Sequence, residues 1–554
     1  MLEREPALSP LQGFPQELLG EVLTACLPPI LDHHARRQFL ILRSVCREWR
    51  QAAFGTHVLW AGIIFRMHEK AEWTKEGRIP WQAIRSWFDR AGATPLHFEL
   101  VFDVGRDNPR GMPVPEGLEE DLPKLYGLLR EEGREWRGVC VGYVPSFGAP
   151  LESFRGMLEG NLALSAGEGR GGGGGKSAWR DLRTLGVPVT SDLVRSPGFV
   201  SWIGNLGRYS PRLEDLELFV TGPSKRSKTI KARVEHPDVT RLTLTFQSIS
   251  VLNVMDVAVC GLSNLKRLEL LCRDRFSDTR KYPEQYELHP RFFMHERIEE
   301  LVVVSSSDPY YPLEFLTLPS LRSLTCRWKE IPGKGGVISP DRSILAFLLR
   351  SGAELREVDL GEMGPLVDAG PEVWCALAEC TRLRRVVLSS WTLERQLEAR
   401  FREAFLKYWS RVGSAVCEGG SGRSGPGRVE GEEGLPFAAI REIVVYGHLD
   451  KVDLKAIARY FLRRQSLIEQ SSTSKQVKER LDYERQSSSG DGGQEGLPRV
   501  QSRKEEIVIK FRGRDGYALE KTEEMRRDLE SNLEYAKAFG VLDGLGVRVV
   551  FEEA

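Results

Sequence analysis

The chain has 554 residues, 41% of them apolar, and carries 78 Lys and Arg against 78 Asp and Glu. That length exceeds one ordinary domain and points to several units or one long repeat array, with enough apolar material for a sizeable core. The balanced charge excludes the global positive excess expected of a nucleic-acid or anionic-membrane binder.

The opening stretch MLEREPALSPLQGF lacks the basic-then-apolar pattern of a secretory signal, and residues 1–13 read as a flexible N-terminus. No window approaches 18 uninterrupted apolar residues, so no membrane span is expected. The nine cysteines are scattered, form no C-x-x-C pair, and no N-x-[ST] acceptor occurs. Together these favour a reducing compartment, cytoplasmic or nuclear.

Phe14, Leu18, Leu19, Val22, Leu23, Cys26 and Leu27 recur at steps of three and four, which places them on one helical face. Pro15 suits the first helical position, Glu17 and Glu21 sit near the positive end of the dipole, and Pro28 and Pro29 end the helix. A second run carries Phe39, Leu40, Leu42 and Val45; a third carries Trp49, Ala52, Ala53 and Phe54, and Trp60 closes the segment. Three short helices of this composition hold more apolar surface than about fifty residues can hide.

The blocks Phe14-Pro-Gln-Glu-Leu-Leu-Gly-Glu-Val-Leu23, Leu42-Arg-Ser-Val-Cys-Arg-Glu-Trp-Arg-Gln-Ala-Ala53 and Val58-Leu-Trp60 resemble an F-box in order and spacing. Phe14 stands where the family usually has Leu, and Leu31–Gln38, with two histidines and two arginines, leaves the second-helix boundary open. The resemblance covers Phe14–Trp60, under a tenth of the chain, and sets the expected domain at residues 14–62. It implies docking on a Skp-family adaptor and, through it, on the cullin scaffold of an SCF ubiquitin ligase. Phe14, Pro15, Glu17, Leu18, Leu19, Val22, Leu23, Val45, Cys46 and Trp49 would then face the adaptor or form the domain core. It also implies that acidic substitution of Leu18 and Leu23 together abolishes docking. A plain three-helix cap is the other reading. Residues 63–135 form a helical and strand region in which Ile84–Leu100 predicts a helix, a turn and an alternating strand, similar to the segment that follows the F-box in many fungal F-box proteins.

From 136 to 450 one pattern recurs: apolar-x-x-apolar-x-apolar. Copies run over Leu182–Val187, Leu213–Leu218, Val239–Leu244, Leu265–Leu270, Ile298–Val303, Leu321–Cys326, Leu355–Leu360, Leu383–Leu388 and Ile440–Val445, with a looser one at Trp136–Val141. Starts of the copies from Leu182 to Leu383 fall 23 to 34 residues apart. This resembles a leucine-rich repeat, whose unit stacks short parallel strands over a shared core. No asparagine follows the strands, where Phe219, Thr245, Leu271, Val304, Arg327, Gly361 and Ser389 stand, so irregular repeats are expected. Helices are predicted at Ser339–Arg350, Pro371–Cys380 and Thr392–Arg411. The expected fold is α/β: a three-helix F-box followed by an irregular leucine-rich-repeat solenoid, parallel short strands on a concave side and helices and loops on the convex side. Client-facing positions would be the x sites Glu217, Thr243, Glu269, Val302 and Thr325.

Residues 163–178, 418–434 and 465–504 are too poor in large apolar residues to offset the entropy of ordering, and read as disordered. Residues 505–554 offer a strand at Glu506–Phe511, a helix at Ala518–Phe539 and a strand at Val547–Phe551. This αβ piece is either a cap on the repeats or a separate appendix.

Motifs for chemistry are weak. Gly171–Ser177 ends in Gly-Lys-Ser, but Arg170 occupies the first P-loop glycine position. Gly420–Gly425 matches G-x-G-x-x-G inside low complexity. His33 and His34 lack a second ligand pair at metal spacing. Cys375 and Cys380 read as buried thiols, and Lys225–Arg233 as a solvated basic loop. No catalytic, cofactor or metal residue is expected, and neither nucleic acid nor membrane as a partner. The expected role is a non-catalytic substrate receptor that binds adaptor and client protein. The alternatives are a repeat scaffold without a ligase role and, less favoured, a nucleotide hydrolase using Gly171–Ser177.

Overall fold

The computed structural model describes residues 14–66, 80–101, 118–131, 133–142, 179–189, 197–220, 234–246, 261–272, 293–305, 311–328, 341–360, 377, 380, 382–389, 441–446, 507–512 and 547–552. Two compact units divide the chain, Met1–Asp274 and Arg275–Ala554.

The first unit opens with three helices: α1 (Gln16–Cys26), α2 (His33–Leu42) and α3 (Arg47–Gly55). Pro15 is the residue before α1 rather than its first turn, and its carbonyl accepts the Leu19 amide at 3.2 Å. The Asp32 carboxylate accepts the Ala35 amide at 2.9 Å and caps α2. That cap settles the second-helix boundary: α2 runs through the His- and Arg-bearing segment. Gly20 explains the close approach of α1 to the residue after α3. A Cβ there would lie 2.4 Å from Thr56 Oγ1, a separation side chains do not tolerate.

The sheet begins earlier than the hydrophobic pattern suggests. β1 (Gly62–Arg66), β2 (Leu96–Val101) and β3 (Trp136–Val141) pair in parallel ahead of the first full copy. They continue through β4 (Thr184–Val189), β5 (Asp215–Val220), β6 (Arg241–Phe246) and β7 (Arg267–Cys272), all parallel and in chain order. The helices α4 (Trp81–Phe88), α5 (Leu118–Leu129), α6 (Pro197–Gly204) and α7 (Leu206–Tyr209) lie between strands. Neither α5 nor α6 is evident in the sequence; α5 contains Pro123, which ordinarily argues against a helix.

The second unit repeats the arrangement. A two-stranded pair, β8 (Phe293–Met294) with β10 (Leu316–Thr317), stands apart from the main strands. β9 (Glu300–Ser305), β11 (Ser323–Trp328), β12 (Glu357–Leu360), β13 (Arg385–Ser389), β14 (Glu442–Tyr446), β15 (Ile507–Arg512) and β16 (Val547–Glu552) pair in parallel, in that order. The C-terminal strands therefore pair onto β14. The helix α8 (Asp341–Ser351) answers the helix expected at Ser339–Arg350. Residues 1–13, 163–178, 418–434, 465–504, Thr392–Arg411, Ala518–Phe539 and most of Pro371–Cys380, whose character the sequence predicts, lie outside the described residues.

Burial explains the recurring pattern. The first apolar position of each copy from Leu182 to Leu383 is fully buried, and the fourth is buried as well. Each large side chain so placed contributes about 1.5–3 kcal/mol of transfer free energy. Backbone bonds lock neighbouring copies. The carbonyl of position two accepts the amides of positions two and three in the next copy, as Arg183 does from Glu214 and Asp215, both at 2.9 Å. Glu214, Thr240, Glu299, Arg322, Arg356 and Arg384 do the same.

A buried position also lies three residues before each copy from Leu182 to Leu383. Trp179, Ser210, His236, Leu262, His295, Leu318, Gly352 and Cys380 occupy it, and all are buried. Their chemical variety hides them from a hydrophobic pattern. His236 Nδ1 accepts the Asp238 amide at 3.1 Å, and His295 Nδ1 accepts the Arg297 amide at 3.2 Å. With Nδ1 accepting, Nε2 of His236 donates to the Ser210 carbonyl at 2.9 Å. The ring thus completes the turn that a buried apolar side chain fills elsewhere.

Truncating Leu268, fully buried in β7, should destabilise the first unit by about 2–5 kcal/mol. Urea unfolding of Leu268→Ala would show this as a lowered midpoint; an unchanged midpoint would contradict the packing described.

Candidate functional site

The three N-terminal helices are anchored by aromatic packing. Trp60 is fully buried and donates from Nε1 to the Ala53 carbonyl at 2.7 Å. Phe39 meets it edge-on at 5.0 Å, Trp87 lies 4.7 Å away, and Phe54 stacks on it at 5.5 Å. Phe88 of α4 packs edge-on against Phe98 of β2 and Trp136 of β3, so the head is joined to the strands through rings. Leu31 bridges directly to Ile63 of β1.

This anchoring leaves several large apolar side chains of the head uncovered. Leu18 and Val22 on α1, and Phe14 just before it, are 41–46% exposed. At the end of α2, Leu40, Ile41 and Val45 are 43–61% exposed, and Phe54 and Val58 are similar. Leu18 and Val22 stand four apart on one face of α1. Leu19 and Leu23 are 2% and 0% exposed and face inward.

The ten residues singled out from sequence therefore divide. Phe14, Pro15, Glu17, Leu18, Val22 and Val45 are exposed, Cys46 and Trp49 half-buried, and Leu19 and Leu23 belong to the core. This corrects the paired substitution of Leu18 and Leu23. A charge at Leu23 would break the head rather than probe its surface; Leu18 with Val22 is the pair that reports on docking. Cys46 is the residue before α3, and its carbonyl accepts the Arg50 amide at 3.2 Å. A hydrogen bond from the Cys46 side chain and the Glu48 backbone amide hold the Glu48 carboxyl below its usual range. Trp49 Nε1 is buried with no hydrogen-bond partner.

Cations lie beside Phe54. The Arg43 and Arg90 guanidiniums lie 5.8 and 5.7 Å from the Phe54 ring centre, and Arg90 lies 5.0 Å from that of Trp60. Partial burial, with Arg90 and Arg50 close by, pushes the Arg43 guanidinium below its usual range. Exposed apolar side chains with cations beside them are suited to holding a protein chain.

A second cluster lies on the sheet face opposite the core. Register places Ile64, Glu99, Cys140, Gly186, Glu217, Thr243 and Glu269 in one row. His97 Nε2 and Glu99 are 2.7 Å apart, and the Cys140 thiol donates to Glu217 at 3.5 Å. Glycines make room for them: a Cβ at Gly138 would meet His97 Nδ1 at 2.0 Å, and one at Gly186 would meet Cys140 Sγ at 2.3 Å. Burial, together with the carboxylates of Glu217 and Glu99, pushes the Cys140 thiol well above its usual pKa. It stays protonated, a poor nucleophile.

The expected client-facing x sites are not uniform. Glu217, Thr243, Glu269 and Thr325 are half-buried and Val302 is buried. Val387 and Val444, in register with Val302 and Thr325, are almost fully buried. Among the described residues no group of three or more His, Cys, Asp or Glu could hold a metal ion, and no helix is long and apolar enough to cross a membrane. His33 and His34 sit edge-on in the first turn of α2. Gly171–Ser177, Gly420–Gly425 and Lys225–Arg233 lie outside the described residues. No protein-family model matches the chain, and no curated protein matches it significantly.

Thiol labelling of the native chain checks the burial. Cys26, exposed, should react with maleimide rapidly, and Cys140 only after denaturation. Peptide mapping that finds Cys140 labelled first would overturn the account of its row.

Proposed function

We propose that the chain is the substrate-recognition subunit of an SCF-type E3 ubiquitin ligase. The head is an F-box that docks on a Skp-family adaptor and so on a cullin. The parallel strands are irregular leucine-rich repeats that hold a client protein. The observation that carries this reading is the sidedness of α1: Leu19 and Leu23 are committed to the core while Leu18 and Val22 stay exposed. A helix that merely capped the repeats would turn those two side chains inward. The F-box-like blocks coincide with α1, the end of α2 with α3, and the 3-10 turn His57–Trp60.

The mechanism is proximity rather than bond chemistry. Holding adaptor and client on one chain raises the effective concentration of client lysines near the ubiquitin-loaded enzyme. Phe54 and Val45 would enter apolar hollows of the adaptor, and the arginines Arg43, Arg50 and Arg90 would meet its carboxylates. A leucine-rich-repeat scaffold without a ligase role is the competing assignment.

Co-expression with a Skp-family adaptor and affinity capture through the full chain separates the two. Leu18→Asp with Val22→Asp should abolish capture while leaving the melting temperature nearly unchanged, since both side chains are exposed. Wild-type chain that never captures the adaptor, or a double variant that still does, would refute the ligase reading.

A further inference from the structure

Neighbouring copies in both units usually set opposite charges side by side. In the first unit, Asp215 pairs with Arg241, Asp181 with Arg212, and Arg183 with Glu214 at 3.0 Å. In the second, Arg385 lies 3.8 Å from Glu357 and 3.0 Å from Glu442, Glu442 meets Lys510 at 2.9 Å, and Arg382 pairs with Glu354.

One column breaks this rule. Position two of successive copies in the second unit reads Glu299, Arg322, Arg356, Arg384 and Arg441. These residues are direct neighbours through the backbone. The Arg322 amide donates to Glu299 at 2.7 Å, Arg356 to Arg322 at 2.8 Å, Arg384 to Arg356 at 2.7 Å and Arg441 to Arg384 at 2.8 Å. Side chains in this column can reach one another, because Arg322 pairs with Glu299 at 2.8 Å. Backbone pairing therefore sets four consecutive arginines side by side; Arg322 is answered by Glu299, and no carboxylate among the described residues pairs with Arg356 or Arg384. Arg322, Arg384 and Arg441 are exposed and Arg356 half-buried.

We infer that the column Arg322, Arg356, Arg384 and Arg441 receives an acidic segment of a protein partner. Guanidinium forks match carboxylates bidentately. Three steps of about 4.8 Å between strands make a strip of roughly 14 Å, the reach of about four or five extended residues. A protein segment is favoured over nucleic acid on two grounds. The chain has no net positive charge. The exposed large apolar side chains described in this unit are Met294 and Leu349, neither of which offers a ring for base stacking. The assignment is independent of adaptor docking, because the column shares no residue with the helical head.

Fluorescence anisotropy with the full chain and a labelled all-glutamate peptide of about eight residues tests this. Saturable binding is expected, weakened about tenfold or more by R356E with R384E. Lys266→Glu, in the same column of the first unit, should leave it unchanged. R384E alone places a carboxylate between Arg356 and Arg441 and should melt no earlier than the wild type. R384Q should weaken binding in the same direction by less, a readout that does not depend on charge reversal. Failure of the wild type to bind the peptide, equal affinity in R356E with R384E, or tighter binding of a single-stranded oligonucleotide at the same salt would each overturn the inference.

Discussion

The structure depends on one repeated hydrogen-bond junction. At the start of β5 to β7 and of β11 to β14, a single position-two carbonyl accepts two amides from the next copy. A slip of one residue would reverse every side chain that follows, because strands alternate faces with a period of two. The junction holds the register while loops of unequal length pass between strands. With the register held, the first, fourth and sixth apolar residues of each copy meet those of its neighbours in a common core, and the remaining positions line up in rows on other faces.

Those rows turn a local sequence choice into a surface property. A charged residue at one position always meets the equivalent residue of the next copy. Most rows answer with the opposite sign, as Asp215 with Arg241 and Glu357 with Arg385 do. Where small residues stand, as Gly138 and Gly186 do, the space is taken by His97 and Cys140 from the preceding strand. Local consistency of this kind is what a folded chain ordinarily shows, so a row that departs from it points to a demand from outside the fold.

The helical head obeys a different constraint. Its core is built on rings, with Trp60 at the centre and Phe88 and Trp136 continuing into the strands. That packing uses up the inward faces of α1, α2 and α3 and leaves their outer apolar side chains without a cover. The head is therefore tied to the first strands and keeps exposed apolar side chains, which suits a surface that binds another polypeptide.

The sequence by itself determined that α1 is a helix, that the six-residue pattern makes short buried strands, and that β15 and β16 exist near the C-terminus. In each case the signal is a periodic run of apolar residues, and periodicity survives without knowledge of neighbours. Tertiary structure alone decided the rest. Leu19 and Leu23 differ from Leu18 and Val22 only through what packs on them, since all four carry the same apolar signal. The buried turn position filled by His236, His295, Ser210 or Cys380 has no common chemistry, so only its place in the stack reveals it. The arginine column shows the same limit: its members lie 28 to 57 residues apart in the chain, and backbone pairing between copies is what makes them neighbours.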